Sequence, residues 1–371
     1  MLRHGPQSYA KPTPPERKQS RRSGPGFARS ARRSVAKDDA DRLGTLHGSN
    51  MNARQPLLAL CMAATLLTGA AAVARGGVDW AFPTVGSAAA LTPKPARLMT
   101  LRGSRARYTR SEIESGFLAI DWWPESHAAL PAVVRHGRPP DVLACGYCHL
   151  PDGEGRPENA ALAGLTTKYM LEQLRDIRSG AHKGVHRAWL PSAVMDQVAR
   201  AVTTGETSAA AAYFSRRRFL GRTRVVEAAE IPTVVPEAFV YRRLAGSRRE
   251  TLGERIVETP DDFYRFELRD STVGYTAYVP PGSIARGREL VSSGDRGRVP
   301  ACAMCHGAGL RGSADVPPLA GRSPTQLFRQ LAAFHARTRH GAHDTPMLIE
   351  AAPMSTADMI AIVAYLASLK P

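Results

Sequence analysis

Cysteine is scarce in this chain, with five in 371 residues. That excludes a small scaffold stapled by disulfides. Four of the five fall in two pentapeptides, Cys145-Gly-Tyr-Cys148-His149 and Cys302-Ala-Met-Cys305-His306. Acidic residues are also short, 33 Asp+Glu against 50 Lys+Arg, for a formal charge of +17. Charged residues make up 22% and hydrophobic residues 43%, which argues against both a mainly disordered chain and a polytopic membrane protein. The length suits two or three globular domains.

The N-terminus distorts the charge. Residues 1–50 hold eleven Lys+Arg and four Asp+Glu with scattered Pro, Gly and Ser, and no periodic apolar face that could bury a core, so they read as disordered. The pattern changes at Met51: a polar start with Arg54, a 20-residue uncharged run from Gln55 to Ala74, and Ala72-Val73-Ala74 before Arg75. This is the layout of a secretory signal. The preferred reading is that translation begins at Met51, the other being that residues 1–50 form a genuine basic arm. Residues 51–74 are then a cleaved signal or an N-terminal anchor, since 20 apolar residues reach across a bilayer, and the expected location is the periplasm, soluble or membrane-anchored through 55–74. Cys61 leaves with a cleaved signal. Removing residues 1–74 takes away twelve Lys+Arg and four Asp+Glu and leaves +9. The run Arg216, Arg217, Arg218, Arg222, Arg224 has no interleaved aromatic platform, so it reads as a solvated face and no nucleic acid is expected.

The second half repeats the first. His149 and His306 differ by 157, as do Gln173-Leu174 and Gln330-Leu331, whereas Met195 and Met347 differ by 152, as do Tyr213 and Tyr365. One loop is therefore five residues shorter in the second copy. Each copy reads as helix, CxxCH, glycine-rich loop, helix, methionine loop, helix. Met170, Leu174 and Ile177 share one face of a helix over Tyr169–Arg178 ending at Gly180. Leu327, Leu331 and Phe334 do the same before Gly341. Terminal helices are expected at Thr207–Phe214 and Thr356–Leu369, the latter capped by Ser355 or Thr356. Between the copies, Val225-Val226, Val234-Val235, Phe263–Phe266 and Tyr275–Val279 are β-prone. The expected organisation is a linker or wrapping arm at 75–124, a first domain at 125–218, a β-prone insert at 219–281 and a second domain at 282–371. The expected fold class is all-α: two tandem domains with a small strand-containing insert between them.

CxxCH has a direct chemical meaning. Two thiols at i and i+3 add to the vinyl groups of one haem, and the adjacent imidazole ligates its iron. Two motifs imply two covalently bound haem c groups, held by Cys145, Cys148 and His149 and by Cys302, Cys305 and His306. A four-Cys zinc site would have to join pairs 157 residues apart and leave both histidines unexplained. A redox disulfide of the thioredoxin kind needs a βαβ context that is absent.

With these motifs the chain resembles the class I c-type cytochromes, and the duplication resembles the diheme cytochrome c4 group, over roughly residues 130–215 and 282–371. The resemblance implies iron held by the motif His and a downstream Met, followed by a last helix carrying an aromatic. Met347 precedes Met354-Ser355 by seven and eight positions and Tyr365 by eighteen. Met195 precedes Val202-Thr203 and Tyr213 by the same intervals, so the implied metal ligands are His149, Met195, His306 and Met347. Met170 and Met359 lie on helical stripes and read as core. His182 and His186 stay open as replacements for Met195, and His335, His340, His343 and Met354 compete near Met347. The resemblance also implies a Pro carbonyl fixing the proximal imidazole: Pro317 matches, whereas the first copy has Ala160, a difference that would let the two haem potentials differ.

A His/Met haem has no open coordination position, so the expected role is electron transfer between redox proteins, with a donor dehydrogenase or membrane complex and an acceptor oxidase or reductase in a respiratory chain. The alternatives are a diheme enzyme, peroxidase-like or oxidising a small inorganic substrate, and the cytochrome subunit of a dehydrogenase or oxidase. Outside CxxCH no cysteine remains after the signal, which excludes a Cys-ligated haem. Trp122-Trp123 are expected to pack the first domain against its arm.

Overall fold

A computed structural model describes residues 77–84, 97–297 and 301–371. The readings for residues 1–50 and 51–74 lie outside them. The chain is mixed rather than all-α, because strands occur in the segment before the first CxxCH as well as between the two copies.

The first described segment carries a 3-10 turn at Asp79–Ala81, then strands β1 (Leu98–Thr100) and β2 (Arg107–Thr109), paired antiparallel, and helix α1 (Arg110–Glu114). Thr109 and Glu112 close a capping box on α1, each satisfying the other's free amide. The first repeat follows as α2 (Ala132–Arg135), α3 (Cys145–His149), α4 (Thr167–Ser179), α5 (Leu190–Ala201) and α6 (Thr204–Ser215). Helix α4 ends where Gly180 takes φ +80°, as the sequence indicates. Met195 lies inside α5 rather than in a loop, because Pro191 in its first turn presets the helix. Arg178 on α4 donates to Ala199 O and Val202 O, both at 2.7 Å, and so satisfies free carbonyls at the end of α5.

The segment between the repeats holds β3 (Thr223–Glu227), β4 (Glu230–Pro232), β5 (Val234–Glu237), β6 (Val240–Arg243), β7 (Arg249–Thr251), β8 (Val257–Pro260), α7 (Phe263–Glu267) and β9 (Tyr275–Val279). Its first and last strands lie side by side: β3 pairs parallel with β9 from Thr223↔Tyr275 to Glu227↔Val279, and β8 pairs antiparallel with β9. The remaining strands form the antiparallel pairs β4–β7 and β5–β6. Phe263–Phe266, expected as a strand, is helical, because Asp262 accepts from Arg265 N and caps a turn there.

The second repeat is α8 (Ser283–Gly297), α9 (Ala303–His306), α10 (Pro324–His335), α11 (Thr345–Ala351) and α12 (Thr356–Ser368). Met347 is again helical rather than in a loop, after Pro346. Ser355, not Thr356, caps α12, in a capping box with Asp358. Helices α8 and α12 cross so closely that a Cβ on Gly287 would lie 1.9 Å from Ala361 O, so only glycine fits there.

Apolar burial joins these parts. One cluster gathers Phe328, Leu331, Ile360 and Val363 of the second repeat with Trp189 of the first, Ile256 and Val279 of the insert, and Ala81 and Phe82 of the N-terminal segment. A separate cluster around Val134, Val142, Met170 and Phe214 belongs to the first repeat. Trp122 and Trp123, expected to pack the first domain against its arm, instead pack among the arm's own residues and reach the insert. Tyr108 lies edge-on to Trp122 at 5.0 Å, while the indoles donate to Leu268 O at 2.7 Å and to Asp270 at 2.9 Å. Among the described residues no single helix is long and apolar enough to cross a membrane.

Candidate haem-binding site

Each CxxCH lies on about one helical turn, which brings positions i, i+3 and i+4 to the same side of the backbone. Both sulfurs and the imidazole of each motif therefore face one space. The two imidazoles are held alike. His149 Nδ1 lies 2.8 Å from Ala160 O and His306 Nδ1 lies 2.8 Å from Pro317 O. A carbonyl can only accept, so Nδ1 carries the proton and Nε2 keeps a free lone pair, the state a metal ligand requires. Ala160 thus supplies the same contact distance as Pro317 without the proline ring. Burial lowers both histidine pKa values, which favours neutral imidazole. It also pushes the Cys145 thiol up to about 12 and the Cys302 thiol up to about 11.

All six motif residues line one cavity of ≈ 760 Å³, together with Met195 and Met347. That volume lies within the roughly 300–1,000 Å³ usual for cofactor pockets. Leu165, Leu174, Ile177, Phe214, Leu331, Phe334, Ile362 and Val363 give it apolar walls. Met170, Met354, His182 and His343 also reach it. His182 Nδ1 is engaged by Gln173 Oε1 at 2.9 Å. His186 is not among the lining residues and lies 3.2 Å from Asp79. His335 bonds Ala351 O at 2.9 Å, outside the lining. Among the described residues no cluster of three or more His, Cys, Asp or Glu gathers to hold a bare metal ion.

The two repeats meet on this cavity through a local two-fold relation. His340 N donates to Ala181 O at 2.7 Å and Lys183 N donates to Thr338 O at 2.9 Å, around a bridge of His182 with Arg339. The repeat interval of 157 carries each of these two bonds onto the other. Gln173 and Gln330, also 157 apart, both accept from Arg339, at 3.0 and 2.7 Å, and Tyr169 Oη accepts from it at 3.2 Å.

Sequence reasoning missed the buried arginines here. Arg322 donates to Ala161 O and Ala163 O across the seam at 2.8 and 3.0 Å, and Arg329 donates to Ala81 O at 2.7 Å and to Pro157 O. Burial pulls both down to about 10, so they remain cationic at neutral pH. Arg339 Nε is buried without a hydrogen-bond partner, 3.6 Å from Asp344. Buried cations served mainly by neutral carbonyls call for anions. Apolar walls, paired sulfurs, a free imidazole lone pair and cations at the seam together fit an iron porphyrin with carboxylate side arms. The one available signal was that Arg339 takes the place of His182 in the repeat.

Comparison with known proteins agrees with this chemistry. Residues 284–370 match the family model for cytochrome c. The thiosulfate dehydrogenase electron acceptor of Thiomonas intermedia is 26% identical over 235 residues, covering 62% of this chain and 80% of that one. Cytochrome c4 of Azotobacter vinelandii is 26% identical over 252 residues, 66% of this chain and 91% of its own length. Among solved structures, a thiosulfate dehydrogenase of Marichromatium purpuratum aligns with a TM-score of 0.44 at 24% identity, over 64% of this chain and 39% of that chain. The family-model match and the sequence relatives bear out the resemblance to the class I c-type cytochromes and the cytochrome c4 group.

Proposed function

We propose, for a chain that carries electrons as a c-type cytochrome with covalently bound haem c, that it holds two haems and relays electrons between redox proteins in the periplasm. The carrying observation is the pair of CxxCH turns on one cavity, each with its imidazole turned by a carbonyl at 2.8 Å. Cys145 and Cys148 hold one haem and Cys302 and Cys305 the other, through thioether bonds. His149 with Met195 would ligate one iron, and His306 with Met347 the other. Each haem supplies reversible one-electron chemistry at iron.

The chain's own residues set the conditions for that chemistry. Ala160 O and Pro317 O fix the imidazole tautomers. The apolar walls exclude water, and Arg322, Arg329 and Arg339 offset the negative carboxylates. The repeat spacing that Met195 shares with Met347, and its place on the cavity wall, support it as the first-copy ligand. Export through residues 51–74 brings the cysteines to an oxidising compartment. The similarity to proteins named for accepting electrons from thiosulfate dehydrogenase supports a dehydrogenase as donor, with a terminal oxidase or reductase as acceptor.

The test is the optical spectrum of the purified holoprotein, oxidised and reduced, with haem counted by the pyridine haemochrome. Two haems per chain and two equivalents of the near-infrared sulfur-to-iron band are expected. One equivalent, with high-spin character at the other haem and turnover of peroxide, would replace the carrier reading with an enzyme.

A further inference from the structure

Identical motifs need not be equally reachable, and here they are not. From Val142 to Ala163 every residue of the first motif region is buried or half-buried, whereas around the second motif Ala303, Met304, Cys305, Ala308, Gly309, Arg311 and Ser313–Asp315 are exposed. Met304 is 77% exposed.

Two added segments account for the difference. The turn after α7 lays Arg269 on the first motif: its guanidinium stands 3.3 Å from the Tyr147 ring centre, Nη1 donates to Tyr147 O at 2.8 Å, and Nε donates to Ile113 O at 3.2 Å. Arg269 takes φ +57°, a costly conformation for a residue with a side chain, and it is over-determined by its surroundings. Trp122 binds Leu268 O, Trp123 binds Asp270, and Arg265 binds Asp270 at 2.7 Å. The arm closes the other side, with Ala144 N donating to Gly116 O at 2.9 Å and Tyr147 Oη donating to Glu114 O at 3.3 Å. The second motif has no such cover among the described residues. It leaves an apolar surface, with Met304, Ala303 and Ala308 exposed. Arg311 is exposed on the turn that returns through Gly312 N to His306 O at 2.8 Å.

We propose that the insert and arm form a fixed cap over the first haem site, and that the chain exchanges electrons with its protein partner through the open face of the second site, around Met304 and Arg311. The occupant is a redox protein presenting a small apolar patch with acidic side chains beside it. Met304 supplies the desolvated contact, and Arg311 and the chain's positive charge supply steering. The proposal rests on the diheme reading above.

The probe is an acidic blue-copper protein in its Cu(II) form, mixed at low salt with the fully reduced holoprotein in stopped flow. One electron passes per encounter, reducing Cu(II) to Cu(I) as the cytochrome is oxidised. Haem is counted first for every variant, so a chain with one haem disqualifies the diheme reading separately from the kinetics. Met304→Asp and Arg311→Glu are each expected to lower the second-order rate constant by about tenfold, as rim and contact charges do at steered interfaces. Arg135→Glu, an equal charge reversal at an exposed position beside the first motif, is expected to change it by less than about twofold. In the Met304→Asp background, Arg269→Ala uncovers the first motif and restores part of the rate. Hydrogen exchange over 302–306 reports whether that variant keeps the second site folded, and Arg269→Lys, which keeps the charge but loses the planar stack, provides a milder opening. Equal slowing by Arg135→Glu and Arg311→Glu, or no recovery from either opening variant, overturns the proposal.

Discussion

The first and second CxxCH turns share local geometry and differ in their surroundings. Both imidazoles accept the same restraint at 2.8 Å from residues eleven positions on, Ala160 and Pro317. A short-range pattern therefore sets ligand orientation in both copies, with or without the proline. Exposure is set from far away in sequence: Arg269 reaches Tyr147 across 122 positions and Trp122 reaches Leu268 across 146. The comparison teaches that duplicating the motif duplicates the chemistry of the site but not its access.

The largest expected effect comes from the cores behind the motifs. Phe214 and Phe328 are both fully buried, and truncation of either to Ala should cost about 3–5 kcal/mol. Phe328→Ala is expected to be the worse of the two, because its ring lies 4.5 Å from Trp80, tilted by 42°, and so also holds the N-terminal segment, whereas the ring neighbours of Phe214 lie in its own repeat. Urea titrations followed by far-UV circular dichroism and by haem absorbance should show one shifted transition for each variant, since Trp189 ties the first repeat into the second repeat's core. Two separated transitions would break the picture of mutually supported repeats.

The cap comes next in size. Trp122→Phe keeps most of the ring and removes the bond to Leu268 O, leaving a buried carbonyl unpaired at a cost of about 1–3 kcal/mol. Hydrogen exchange should quicken over 145–149 and stay unchanged over 302–306. Equal quickening in both motifs would mean that the tryptophan supports the whole molecule and not one cover. Smaller still are the capping boxes that start the last helix of each repeat, Thr203 with Glu206 and Ser355 with Asp358. Thr203→Ala and Ser355→Ala should each cost about 1 kcal/mol. Matched losses in thermal unfolding would show that the copies remain equivalent at this level.

What the sequence made legible follows the range of the interactions. Helices α4 and α12 have a stop and a start written locally, in Gly180 and Ser355, whereas α6, expected from Thr207, begins at Thr204 behind the Thr203 cap. The methionine segments read as loops because they are short and interrupted by proline, yet Pro191 and Pro346 sit in first turns, where proline favours a helix. Phe263–Phe266 has β-prone side chains, but one cap at Asp262 outweighs that preference. The pairing of β3 with β9, the buried Arg322, Arg329 and Arg339, and the cap over Tyr147 depend on contacts dozens to hundreds of positions apart. Arginine looks solvated in a composition, and only the assembled cavity gives these three a reason to be inside.

The smallest effect separates the insert from the first repeat through pH. Glu258 on β8 is buried and accepts from Ser323 Oγ at 2.6 Å and Thr223 Oγ1 at 3.0 Å, and burial raises its pKa above the ordinary carboxylate value. A group with a raised folded pKa contributes its full stability below the unfolded pKa and loses it as pH rises through the folded value. Glu206 on α6 runs the other way. Its bond to Arg138, together with the Thr203 amide, holds it down to about 2, so its contribution is present above the ordinary carboxylate range and is lost as pH falls toward 2. Melting temperatures measured from pH 2 to 8 should show the two limbs separately, in steps of a few tenths to about one unit of pH. Glu258→Gln should gain on the parent progressively above the ordinary carboxylate range, and Glu206→Gln should flatten the acid limb alone. If Glu258→Gln instead parallels the parent at every pH, the carboxyl titrates alike in folded and unfolded chains, and burial between the insert and the second repeat does not favour its neutral hydrogen-bonded form.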